Sequence, residues 1–181
     1  MKEYDFALVA IYPEKKIDPE LLCQVANILY EVGADDCTVL SRDNAFIIEF
    51  DREADSYKKA ILSAIKQVQS IGLVVKSIDA GQYVGLSDAA EFAHLTRSAM
   101  SKFSKGVRGD GFFPTPYFRL NSKTPLYEWK EIADWLSRKG MIEPELAENA
   151  KITADINTVL SLKNKNKLSQ LFELSNEIYG D

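Results

Sequence analysis

The sequence has few residues of the kinds that usually carry chemistry. It contains two cysteines, Cys23 and Cys37, and a single histidine, His94, in 181 residues. The cysteines form no CxxC arrangement, and too few other ligands accompany them for a zinc site. We therefore expect reduced cysteines packed as small hydrophobic residues. We predict no metal site and no other cofactor.

Other absences exclude further classes of protein. No glycine-rich phosphate loop and no GxSxG nucleophile elbow is present. The acids around Asp35 and Asp51 are typical of helix caps and solvated charge rather than of metal ligands. We therefore expect the chain not to be an enzyme. No apolar run approaches the roughly 20 residues that span a bilayer, and the N-terminus lacks the features of a signal peptide. A cytoplasmic protein without membrane contact is expected.

Acidic residues outnumber basic residues over the whole chain, but the middle of the chain has an excess of basic residues. The net charge is −5. Residues 1–80 carry 9 basic against 14 acidic side chains, residues 81–140 carry 9 against 6, and residues 141–181 carry 4 against 7. Within Leu95–Lys123 the count is 6 basic against 1 acidic. A phosphate backbone would be attracted by this central segment, whereas the acidic flanks would weaken non-specific binding.

Residues 1–80 show the pattern β-α-β-β-α-β. Asp18 followed by Pro19 is a typical helix start, and Gly33 is a typical residue just beyond a helix end. Asp55 or Ser56 is expected to cap the second helix. The predicted strands are short apolar runs: Phe6–Ile11, Cys37–Leu40, Phe46–Phe50 and Leu73–Ile78. Two helices on one face of a four-stranded sheet would make a ferredoxin-like unit, so the fold class is α+β.

Two short helices are predicted in the middle of the chain. Ser87 can cap a helix that begins at Asp88, and Thr96 can cap another that begins at Arg97. His94 lies in the short link between them, where we expect it to act as a turn residue. Helices joined by so short a link must pack at a steep angle, which is the arrangement of a helix-turn-helix.

The second of these helices has one apolar and one polar side. Met100 and Phe103 lie on its inner side, while Ala90 and Leu95 suit the elbow. Its other side carries basic and hydroxyl groups, which bond bases and phosphates in the major groove of DNA. An ordinary helical hairpin with a solvated face would show the same pattern.

A small wing is predicted after a glycine-containing link. Tyr117–Leu120 and Pro125–Tyr127 look like extended pieces joined by a polar turn, and Trp129–Arg138 has the spacing of a helix. Phe112, Phe113, Tyr117 and Phe118 could stack single-stranded bases, although we expect some of them to form the core under the wing. The predicted DNA-contacting residues are Thr96, Arg97, Ser98, Ser101, Lys102, Lys105, Arg108, Arg119 and Lys123.

The same segment resembles a known family. Tyr83–Ser98 (YVGLSDAAEFAHLTRS), Phe113–Pro116 (FPTP) and Leu126–Leu136 (LYEWKEIADWL) are similar to the excisionase and AlpA-like branch of MerR-type winged helix-turn-helix domains, although His94 stands where that family usually has glycine. The resemblance implies a bacterial or phage DNA-binding protein. Gly33–Asp36 (GADD) and Phe50–Ala54 (FDREA) also resemble the N-terminal part of poorly characterised bacterial proteins that carry this domain, which implies architecture and not activity.

We therefore predict three segments: a ferredoxin-like domain in residues 1–80, a winged helix-turn-helix domain in residues 81–140 and a helical segment in residues 141–181. The last is expected to form two helices separated by a polar break at Lys163–Lys167. The first hypothesis is a sequence-specific regulator that binds double-stranded DNA as a homodimer. The N-terminal or the C-terminal segment would form the contact between the two copies. Alternatives are a DNA-docking adaptor or antitoxin-like protein that binds a protein partner through its termini, and a ligand sensor.

Overall fold

The structure, a computed structural model, describes residues 1–79, 81–162 and 165–180. Within them the chain is mixed α+β, with seven helices, a four-stranded antiparallel sheet and a two-stranded sheet. The elements in chain order are β1 (Lys2–Ile11), α1 (Pro19–Glu31), β2 (Cys37–Arg42), β3 (Ala45–Ala54), α2 (Tyr57–Ser70), β4 (Val74–Ile78), β5 (Tyr83–Val84), α3 (Leu86–Phe92), α4 (Arg97–Ser104), β6 (Tyr127–Glu128), α5 (Trp129–Arg138), α6 (Pro144–Ser161) and α7 (Lys165–Tyr179).

The four-stranded sheet has the order β2-β3-β1-β4, with all neighbours antiparallel. Alternate residues of the two central strands, such as Phe6 and Leu8 on β1 or Ile48 and Phe50 on β3, are buried under α1 and α2. The first strand begins at Lys2, earlier than predicted, because its polar residues still pair with β3 as far as Ala54. The opposite face of the sheet is not covered by α1 or α2.

Local capping rules explain most of the boundaries. Asp18 Oδ1 accepts a hydrogen bond from the Leu21 N–H at 2.8 Å and starts α1, as predicted. The second helix is capped by Ser56 rather than Asp55. Asp43 and Asn44 both have positive φ, 49° and 63°, which is the geometry of the two-residue turn that matches strand twist.

The described residues form two clusters of buried apolar side chains, and α6 contributes to both. Ile152 and Ile156 pack on the cluster beneath the four-stranded sheet, while Ala150 belongs to the cluster around α3, α4 and α5. The amide of Asn157 accepts from the Ile78 N–H at 2.7 Å and donates to the Ile78 carbonyl at 3.2 Å. This helix therefore holds the edge strand β4 and connects the two clusters.

Some expectations are wrong in detail. Cys23 is exposed and only Cys37 is half-buried, because Cys23 lies on the outer side of α1. The predicted polar break is shorter than expected: α7 already begins at Lys165, while Lys163 and Asn164 lie outside the described residues. The predicted boundary at residue 80 also falls outside them. Among the helices of the described ranges, none is long and apolar enough to cross a membrane.

Candidate nucleic-acid interface

The first helix of the central pair starts differently from the prediction. It begins at Leu86, so Ser87 is a helical residue and not the cap. Gly85 occupies the cap position in an extended conformation, and its N–H donates to Asp88 Oδ2 at 3.1 Å. An acid in the first turn is also favoured by the helix dipole. The predicted cap at Ser87 is therefore wrong: no side chain caps the first turn of α3, and Asp88 instead binds the N–H of the cap residue.

The link between α3 and α4 is a sharp elbow. His94 adopts a left-handed backbone with φ 51°, which confirms it as a turn residue. Its N–H donates to the Glu91 carbonyl at 3.0 Å, and the Leu95 N–H donates to the Ala90 carbonyl at 2.8 Å. Leu95 is partly buried against the core. Thr96 Oγ1 then accepts from the Ala99 N–H at 3.1 Å and starts α4, as predicted.

The two sides of α4 differ as predicted. Met100 and Phe103 are buried, with exposed fractions of 0% and 2%. Successive helical residues lie about 100° apart, so the polar residues cover one arc of about 140° on the side away from those two. Among them, Ser101 is half-buried and the others are exposed: Arg97, Ser98, Lys102 and Lys105. The helix therefore presents a continuous basic and hydroxyl-bearing face to solvent.

The glycine-containing link after α4 is held against α5. Gly106, with φ 66°, ends the helix, and its N–H donates to the Phe103 carbonyl at 3.0 Å. The guanidinium of Arg108 lies over the ring of Phe103, 5.2 Å from its centroid. Asp110 forms an ion pair with Lys139 just beyond α5. Arg108 is exposed, so it remains accessible beside the end of α4.

The predicted wing is less regular than expected. In place of two strands, the structure has an isolated bridge between Phe118 and Leu126. Tyr117 directly follows Pro116, and a proline has no N–H to donate, so the ladder cannot extend past Pro116. Arg119 has φ 58° and turns the chain. Arg119 and Lys123 are both exposed in the loop that the bridge closes.

The aromatic residues of this region divide into two groups. Phe113 packs edge-on against Tyr127 and Trp135, with ring centroids 5.8 and 5.3 Å apart, and belongs to the core. Tyr117 and Phe118 remain about half exposed, at 56% and 46%, and both contact the ring of Tyr83. The sequence did not identify Tyr83 or the short β5–β6 pairing that positions it, because strands of two residues have no detectable periodicity.

The predicted basic residues are not neutralised by neighbouring acids. Among the ion pairs of the described residues, none involves a basic residue of the predicted site. In contrast, Lys130 pairs with the buried Glu128 at 3.1 Å, and this hydrogen bond raises the pKa of Lys130. The structure brings the α4 residues together on one face. It places Arg119 and Lys123 in a separate loop, which packs through its aromatic residues beside the strand that leads into α3.

No family model, no curated protein and no solved structure matches the chain. Across the described parts of the chain, the acids, cysteines and histidine form no group of three or more that could hold a metal ion. The function proposed below therefore rests on the shape and charge of the chain's own surface.

Proposed function

We propose that the protein binds double-stranded DNA sequence-specifically and acts as a bacterial or phage transcription regulator in the cytoplasm. In this proposal α3 and α4 form the helix-turn-helix, the loop around residues 118–126 is the wing, and α5 completes the domain. The observation that carries the proposal is the exposed face of α4, which is basic, hydroxyl-bearing and free of acids. It lies opposite the buried side chains of Met100 and Phe103.

Each predicted residue has a role in this proposal. A helix fits the major groove, and side chains in its N-terminal part reach the base edges. Arg97, Ser98 and Ser101 would therefore contact bases, together with Lys102, while Thr96 fixes the helix start. Phosphate contacts set the position of the protein on the duplex and carry no direct sequence information. The residues assigned to phosphates are Lys105, Arg108, Arg119 and Lys123.

The remaining segments would support a dimer. The β-α-β-β-α-β order of residues 2–78 and the sheet order β2-β3-β1-β4 support a ferredoxin-like interpretation of the first segment. A single small DNA-binding module rarely gives sufficient affinity. We therefore propose a homodimer on an inverted repeat, with half-sites about 34 Å apart or a multiple of that distance.

The test begins with selection of bound sequences from a random pool of DNA duplexes. With the enriched duplex, Arg97→Ala is expected to weaken specific binding by about 1–3 kcal/mol, because it removes a base contact. Lys123→Ala is expected to weaken binding to all duplexes alike and to reduce the salt slope by about one. Binding is measured by fluorescence anisotropy over a series of salt concentrations.

Two exposed residues outside the proposed surface serve as controls. Arg42→Ala on the β2–β3 turn and Lys151→Ala on α6 remove the same side-chain types. Both should leave base preference and the salt slope unchanged, with only a small loss of affinity from the altered net charge. If Arg97→Ala and Lys123→Ala behave like these controls, or if no duplex is enriched, the proposal is wrong. Stronger binding to single strands, lost on Phe118→Ala, would instead indicate base stacking on the exposed aromatic residues.

A further inference from the structure

The last helix leaves its apolar side uncovered. Leu168, Leu171, Phe172 and Ile178 lie on one side of α7 at spacings of three, four and seven positions, and their exposed fractions are 41%, 38%, 65% and 64%. A helix of 15 residues is marginal in water without tertiary packing. Its charges also oppose the helix dipole, since Lys167 lies near its start and Glu173 and Glu177 near its end. The helix therefore needs a surface that covers it.

A groove of about 450 Å³ between α2 and α6 offers such a surface. The two helices lie side by side, and the hydroxyls of Tyr57 and Thr153 join them at 2.9 Å. Leu62 and Val159 in the groove are exposed to 38% and 67%. Its apolar lining consists of Leu62, Ile65, Ile152, Ile156, Val159 and Leu160. This is the shape that an amphipathic helix fills in helix-in-groove recognition.

The charges around the groove set a direction for the incoming helix. Lys58 stands near the end where Tyr57 meets Thr153, whereas Gln69 and Leu160 mark the other end. Asp155 also lines the groove and, together with Lys130, lines a second pocket on the α5 side of α6. A helix that enters with its C-terminal half toward Lys58 brings the acids of α7 to this lysine.

We infer that α7 of one copy occupies the α2–α6 groove of a second copy, and that the exchange is reciprocal. Within one copy α7 leaves the groove uncovered, since Leu62 and Val159 stay exposed. Exchange of an identical element between two copies is a low-cost route to a dimer. In such a twofold-symmetric dimer, two copies of α7 fill two grooves. The buried area is then twice that of one helix in one groove, which brings it closer to the roughly 1,600 Å² of a stable interface. The inference rests on the proposed function in one respect: it identifies the contact that holds the proposed homodimer together.

The first experiment measures the mass of the full-length chain by sedimentation over a range of concentrations. The mass of two copies is expected. Phe172→Asp on α7 and Val159→Asp in the groove should each raise the dimer dissociation constant roughly 100-fold or more, because each places a charge in the apolar contact. Gln170→Asp, on the polar side of α7, adds the same charge and should have no effect.

The second experiment identifies which groove is filled. Two differently tagged copies, one Val159→Cys and the other Phe172→Cys, are co-expressed in a Cys23→Ser background and treated with a short thiol cross-linker. Cross-linking between the two tags is expected. Three results would overturn the inference: a single-copy mass at every concentration, a dimer unaffected by both charge substitutions, or a double variant that cross-links only within one chain. A monomeric variant that still binds half-sites weakly would leave the proposed function intact, whereas a dimer without DNA binding would refute only that function.

Discussion

Cys23 and Cys37 have different surroundings, which predicts different reactivity. Burial, with a further contribution from the neighbouring Asp36, raises the pKa of Cys37 to about 11. Its thiol also donates to the Ala34 carbonyl at 3.2 Å. Since the thiolate is the nucleophile, only roughly one Cys37 in a thousand would be reactive at pH 8. Cys23 is exposed on α1.

We therefore expect iodoacetamide at pH 8 to label Cys23 quickly and Cys37 only slowly, as measured by intact mass and peptide mapping over time. The Cys23→Ser variant should take up almost no label while folded and one label in urea. Equal labelling rates in the folded chain would contradict the predicted difference.

Single residues were predictable where the physics is local. A helix cap is a contact between residues three positions apart, so Asp18 and Thr96 could be recognised from the sequence. His94 in its left-handed conformation follows from the shortness of its link. The cap predicted at Ser87 was wrong because α3 begins at Leu86, two residues earlier than predicted, after a glycine whose N–H is bound by Asp88. The sequence alone could not decide between these two helix starts.

At the scale of elements, α6 illustrates what the sequence could not predict. A helix was predicted here, but its Asn157 bonds Ile78, 79 positions earlier in the chain. No local pattern reports such a pair, because both residues are ordinary in their own segments. The same applies to the wing: its aromatic residues were evident, yet which of them is buried depends on Trp135 and Tyr127.

Replacing Asn157 tests whether α6 holds the edge of the sheet. Asn157→Ala leaves the N–H and the carbonyl of Ile78 without their partner in a buried place. We expect a loss of about 2–3 kcal/mol in the free energy of unfolding. Urea denaturation measures this loss, and hydrogen exchange should show faster exchange of the Ile78 amide.

A substitution one position further along provides the control. The hydroxyl of Thr158 donates to the carbonyl of Ala154 within the same helix. Thr158→Ala should therefore cost much less than Asn157→Ala and leave the exchange of β4 unchanged. Similar losses from both substitutions would indicate that α6 matters only as a helix and not through its bonds to the strand.

At the scale of the whole molecule, charge is separated between surfaces. The pairing of β1 with β3 places Glu3 opposite Glu53 and Asp5 opposite Asp51, and all four are exposed on the uncovered side of the sheet. Like charges directly opposite each other on antiparallel strands are destabilising. The sequence showed the acidic excess of residues 1–80, but the register that opposes these acids required the structure. In the proposed function, this face repels DNA and limits binding to the basic face of α4.

The double variant Asp5→Asn, Asp51→Asn should therefore be more stable than the natural chain, by about 2 °C in Tm at low ionic strength, with a smaller gain in high salt. It should also bind all duplexes more tightly to a similar degree without a change in base preference, since only long-range repulsion is reduced. Glu31→Gln with Glu148→Gln removes the same two charges away from any opposed pair, so it should affect DNA binding similarly but bring no such gain in Tm. An unchanged Tm for the first variant would show that the opposed acids do not repel each other in the folded chain.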